Sequence, residues 1–223
     1  MYYLLYIVPI LLMIMAQNMV SNAYHRYKNI VSKKGYTGEM IANLILERNR
    51  VEGVDVCIHD GGQLSDFYDP KLKRICLSND VYYGNSILSI SVAAHESGHA
   101  LQDAENYGFI VIRNKLLPYV NITSQTGWII LLLGFMSNST SFVNLALFLL
   151  IITTAFQIIT LPIEFNASKR ALSQLTSNAM IMDEEYMEVK NMLNAAAFTY
   201  VASLVSGIAF ILRIFLLSGR RKR

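Results

Sequence analysis

The sequence predicts a mainly α membrane protein, with about four transmembrane helices carrying a small α+β unit made of a short β-meander and one helix. Two observations predict it. Hydrophobic residues make up 53% of the 223-residue chain and charged residues only 16%, well under the roughly 25% charge of soluble proteins. That apolar excess is also concentrated in a few long runs, while residues 21–115 keep an ordinary soluble composition. A freely soluble, disordered or fibrous chain is excluded. The net charge of +3, with no Lys/Arg run interleaved with aromatics, argues against nucleic acid as a partner.

Residues 1–24 carry no Asp, Glu, Lys or Arg, and residues 116–163 are 48 consecutive residues without one. A bilayer crossing takes about 20 residues, so the long run holds two crossings joined at the polar stretch Ser137-Asn138-Ser139-Thr140-Ser141. A soluble helix pair would show charged outer faces. A last uncharged run covers residues 191–212 and extends past Arg213. The spans fall at about 2–20, 117–136, 142–161 and 195–217. The domain organisation is then an anchor (1–20), a catalytic α+β unit (21–115), a transmembrane hairpin (116–161), a helical segment (162–194), a last span (195–217) and a basic tail (218–223). The first segment reads as an anchor rather than a cleaved signal peptide, because it lacks an amino-terminal Lys or Arg and its apolar run is long. Nine basic residues near the spans (Arg26, Lys28, Lys33, Lys34, Arg113, Lys115, Lys169, Arg170, Lys190) lie on one side, against four in the tail. This count favours a cytoplasmic main unit in a multi-pass cell-membrane protein.

Within residues 21–115, Met40, Ile41, Leu44 and Ile45 follow Thr37-Gly38-Glu39 at helical spacing. Residues 54–58 are short and β-branched, Asp69-Pro70-Lys71 signals a turn, and residues 74–77 return as a further strand. Ser78, Asn79 or Asp80 then caps a helix over about 81–104. Cys57 and Cys76 are too few for a disulfide framework and lack metal-pair spacing; they are reduced thiols or one bridge.

That last helix contains His95-Glu96-Ser97-Gly98-His99, the HExxH pattern. Residues four apart differ by about 40° around a helix and about 6 Å along it, so both imidazoles can reach one ion. Glu96, next to the first histidine, is placed to take a proton from a water beside the metal rather than to bind it. A catalytic zinc site needs three protein ligands and one open position. Asp103 lies about 12 Å along the helix from His95, too far to share its ion, and Glu105 points to another face. No His or Cys follows His99, leaving Glu164, Asp183, Glu184, Glu185 and Glu188. The last four form a polar run that reads as a solvated helix face. Glu164 is the first charge after the 48-residue run, just past Pro162. An ionisable group at that boundary is costly unless paired or bound to metal, and two crossings return it to the side of His95. Glu164 is therefore the third-ligand candidate.

The segment AAHESGHALQ, the upstream YDP and LSNDVYYG, the downstream LPIEFNASKRAL and the NAAAFTYVASL before the last span resemble the YugP-type membrane zinc metallopeptidases of bacteria. The resemblance covers nearly the whole chain. It implies a multi-pass membrane metalloendopeptidase with one Zn2+ per chain, His95, His99 and Glu164 as ligands and Glu96 as base. One departure is Asn166, where Asp is expected; Asn accepts a hydrogen bond but brings no charge to raise ligand basicity. The expected enzyme is gluzincin-type, built on a zincin-like unit, with protein or peptide substrates at the membrane surface. Residues 74–77 either pair with substrate by strand addition or form an ordinary internal strand. Tyr82, Tyr83, Tyr107 and His59 are possible oxyanion stabilisers without an assigned role. Two rivals are an intramembrane protease and a non-catalytic, metal-stabilised scaffold or transporter. Ionisable residues within spans would favour transport, and only Arg213 lies within one.

Overall fold

The computed structural model describes residues 3–220, with side chains to residue 216. Residues 1–2 of the first expected span and 221–223 of the expected tail lie outside them. The elements are α1 (Leu4–Lys28), α2 (Gly38–Arg48), β1 (Asp55–His59), β2 (Phe67–Asp69), β3 (Arg74–Ser78), α3 (Asn79–Tyr82), α4 (Ile87–Ala104), α5 (Gly108–Met136), α6 (Thr140–Ser177) and α7 (Tyr186–Arg220). A 3₁₀ turn at Asp183–Glu185 precedes α7. The protein is thus mainly α, with a small three-stranded sheet. Four of its helices, including α7 with the turn before it, are long and apolar enough to cross a membrane.

The chain divides into two compact units. One comprises Met1–Gln17, Val111–Pro162 and Thr199–Arg223. Its α5–α6 hairpin turns where the polar stretch predicts: Asn138 takes a left-handed φ of 54°, and the Ser137 and Ser139 amides close onto Leu133 and Gly134 carbonyls. A Cβ on Gly134 would lie 2.9 Å from the Val143 nitrogen, so the bare backbone lets the two helices meet. Leu131, Val143, Ala146, Leu147, Leu150 and Ile214 form this unit's core.

The other unit comprises Asn18–Ile110 and Ile163–Phe198. Thr37 caps α2 by accepting the Met40 amide. Ile41, Ala42, Ile45 and Leu46 of α2 are buried with Ile75 and Leu77 of β3, Ile87, Leu88 and Ile90 of α4, and Leu175 of α6.

Two expectations are corrected in this unit, and one open choice is decided. The sheet is no meander: its order is β1-β3-β2, with β1 parallel to β3 and β2 antiparallel to it. Ile75, Cys76, Leu77 and Ser78 of β3 are all buried, whereas β1 and β2 keep exposed positions. The most continuously buried strand takes the two-sided central place. Of the two readings of 74–77, the ordinary internal strand holds, since β3 has partners on both edges. Finally, the helix expected over 81–104 is two helices, and α4 starts at Ile87. Its cap is Ser86, whose hydroxyl accepts the Ser89 amide. At Gly84 a Cβ would lie 2.1 Å from the Asp80 carbonyl oxygen, so the chain turns out of α3 there.

The paired cysteines are free. They sit opposite each other on β1 and β3, with their sulfurs 3.1 Å apart. Burial, reinforced by the hydrogen bond with Cys57, pushes the Cys76 thiol up to about 11.

Candidate metal centre

Helix α4 presents His95, Glu96 and His99, and α6 lies against it closely enough to supply Glu164. The approach depends on Gly98, between the two histidines: a Cβ there would lie 2.7 Å from the Ala167 carbonyl oxygen. One carboxylate oxygen of Glu164, Oε2, lies 3.3 Å from His95 Nε2 and 3.5 Å from His99 Nε2. The two rings meet edge to face, centroids 4.8 Å apart. One potential ligand atom from each of the three residues falls within 4.8 Å of the others. Among the described residues this is the one such group of three or more His, Cys, Asp or Glu.

The surrounding hydrogen bonds fix which nitrogen of His99 is free. Gln102, fully buried, donates its amide to the Ile163 carbonyl at 2.8 Å and to Asn166 Oδ1 at 3.0 Å. Its Oε1 is therefore the acceptor that meets His99 Nδ1 at 3.0 Å. His99 must carry its proton on Nδ1, leaving the Nε2 lone pair toward Glu164. On the other side His95 Nδ1 contacts the Ser168 hydroxyl at 3.2 Å. Asn166 makes no hydrogen bond to either histidine. It also accepts from Arg170 Nε at 2.7 Å, and Arg170 grips Glu105 through two 2.7 Å bonds.

Glu164 is 2% exposed, and its Oε2 has no hydrogen-bond partner. A buried carboxylate oxygen without a donor, facing the proton-free Nε2 of His99, is costly. A cation at their meeting point removes the cost. Two imidazoles and one carboxylate form a donor set that suits zinc and leaves a coordination position open. The residues present fit the ion.

Glu96 is buried beside this cluster, near the Tyr68 backbone amide. Burial pushes its carboxyl up to about 8, with Glu164 and Asp66 adding to the rise and His95 and the Tyr68 amide opposing it. Such a raised carboxyl beside a candidate metal site is a candidate proton carrier.

The other candidates lie elsewhere. Asp103 accepts from the Tyr68 hydroxyl at 2.7 Å and from Lys73 at 2.6 Å, and Glu105 holds Arg170. Of the polar run, Glu184 pairs with Lys33. Glu185 corrects the solvated-face reading: it is 3% exposed and accepts the Lys33 and Met182 amides, both at 2.8 Å. Tyr82 packs on Tyr83, Tyr107 on Phe109 and His59 on Phe67. The sequence reading missed Gln102 and Ser168. Their spacing offered a signal, since Gln102 is i+3 from His99 and Ser168 is i+4 from Glu164.

Known proteins match this chain over most of its length. The "Putative membrane protease YugP" of Bacillus subtilis (strain 168) is 40% identical over 207 residues, 92% of each chain. No solved structure matches. A family model described as "Putative neutral zinc metallopeptidase" matches residues 2–219. Together with a donor set that fits zinc, that match over nearly the whole sequence shows that the chain belongs to this zinc metallopeptidase family.

Proposed function

We propose that this protein is a zinc-dependent membrane endopeptidase of gluzincin type, with His95, His99 and Glu164 holding the metal and Glu96 moving the proton. The observation that carries the reading is Glu164 Oε2, buried without a hydrogen bond between two imidazole nitrogens. Bound zinc would supply a Lewis acid that polarises the peptide carbonyl and acidifies a water.

The chain's residues do the rest. Gln102 and Ser168 hold the two imidazoles with Nε2 directed at the site. The Glu96 carboxylate takes a proton from the attacking water and hands it to the departing amide nitrogen. Among the described residues β2 keeps one free edge, because β3 occupies the other, and its Tyr68 lies near Glu96. An extended substrate segment can add to that edge and bring its carbonyl beside Glu96. Glu164 follows directly on the uncharged run, so the substrates are membrane proteins or segments presented at the membrane surface. The basic-residue count puts the site on the cytoplasmic face.

The test uses the purified full chain, a peptide library and a chelator. Wild type should cleave, and chelation should stop it. Glu96→Gln should lower turnover by about 10²–10⁴-fold while retaining zinc at the wild-type ratio. Zinc loss in that variant would make Glu96 a ligand and overturn the assignment.

A further inference from the structure

We propose that the first unit holds one anionic glycerophospholipid, its phosphate on Arg213 and an acyl chain in the trough between α1 and α7. The charge inventory of the unit starts the argument. Its three segments contain seven basic residues (Arg113, Lys115, Arg213, Arg220, Arg221, Lys222, Arg223) and no Asp or Glu. No carboxylate within the unit can neutralise Arg213, which lies in an otherwise uncharged span.

Arg213 is nevertheless held in place. Its guanidinium carbon lies 4.7 Å from the Tyr6 ring centroid on α1 and 4.5 Å from that of Phe210 on α7. Ring faces fix the orientation of a guanidinium but carry no net charge, so the anion is still missing. The planar fork keeps N–H donors free at its edge, suited to a phosphodiester.

The depth is right for a headgroup. Tyr6, one of the two rings that hold Arg213, lies in the first turn of α1. A long basic side chain packed against the first turn of a neighbouring helix reaches the interface.

An apolar trough leads away from the cation. It holds about 320 Å³ and is lined by Arg213, Tyr6 and Phe210 at one end, and by Pro9, Ile10, Met13 and Ile14 beyond. From Leu5 to Ile14 the helix rises about 13 Å, enough for much of one acyl chain. A fixed cation at the head of an apolar trough matches a lipid's own order of parts. A zwitterionic headgroup carries its own cation and leaves the unit's charge uncompensated, which selects the anionic class.

The test is native mass spectrometry of the full chain released from nanodiscs of equimolar phosphatidylglycerol and phosphatidylcholine. Wild type should retain one phosphatidylglycerol, preferred at least about fivefold, the worth of one basic residue at an anionic surface. Arg213→Gln should bring the preference to parity, and Arg213→Lys should keep part of it. Ile10→Trp, which fills the trough and leaves the cation, should also lose the lipid and serves if Arg213→Gln does not fold. Replacing residues 220–223 by glutamine should leave the single lipid bound. Equal retention of the two lipids by wild type, an unchanged preference in Arg213→Gln, or loss with the tail instead of Arg213 would overturn the proposal.

Discussion

Gln102 illustrates how much of the site is decided by a side chain that touches no metal. Its amide group is fully used: two donated bonds tie α4 to the α6 backbone and Asn166, and its oxygen sets the His99 tautomer. Gln102→Leu should lower zinc affinity about 10–100-fold, the usual cost of losing a partner of a ligating histidine. Gln102→Glu keeps an acceptor for His99 and should recover part of that loss in a chelator-competition titration. Equal loss in both variants would reduce Gln102 to packing. Glu96 gives a prediction with a defined pH window. In the metal-free protein its carboxyl titrates near 8 in the fold, because of burial, against an ordinary 4.5. The folded state keeps a proton that the unfolded chain releases first, so this stabilisation is complete below about pH 4.5 and is lost as pH rises through 8. Chelator-treated wild type should therefore melt lower at pH 8 than at pH 5, and Glu96→Gln should flatten that slope. A slope unchanged by the substitution would contradict the burial of Glu96.

Between elements, the site depends on how closely α4 and α6 approach. Gly98→Ala would drive a methyl against the Ala167 carbonyl, where neither backbone can yield alone. It should cost about 1–3 kcal/mol of stability and loosen zinc binding, measured by melting and by chelator competition. Unchanged zinc affinity would show that the helices need no contact there. The histidine pair was legible in sequence because its spacing is local to one helix, and Glu164 because it stands alone after a long uncharged run. Gln102 and Ser168 had visible spacings, but nothing local says which neighbouring helix a side chain meets. The start of α4 was misread because Ser78-Asn79-Asp80 offers as good a cap as Ser86; the long-range bond from the Gly38 amide to the Gly84 carbonyl at 3.0 Å holds the chain out of a continuous helix there. The strand order was illegible for a related reason. Neighbouring strands in sequence favour a meander, and only the burial of β3 on both sides puts it in the centre.

At the scale of the molecule, the four apolar helices were legible from charge-free runs alone, since a bilayer crossing is set by length and composition. The expected topology is a count of crossings: two, by α5 and α6, would put a residue before α5 and one after Pro162 on one face and the hairpin tip on the other. In a Cys57→Ala, Cys76→Ala background, a cysteine at Glu47 should be labelled from the face opposite to one at Ser139. Labelling of both from one face would remove the hairpin as a crossing. The same count is what brings Glu164 back to His95 and His99, and the central claim is that these three residues hold one zinc ion. Zinc content per chain, measured on purified full-length wild type beside Glu164→Gln and Glu184→Gln, tests it most directly. The account predicts one zinc per chain in wild type and Glu184→Gln, and little in Glu164→Gln after dialysis against a weak chelator. A zinc-free wild type, or a Glu164→Gln variant that keeps its metal while Glu184→Gln loses it, would contradict the account.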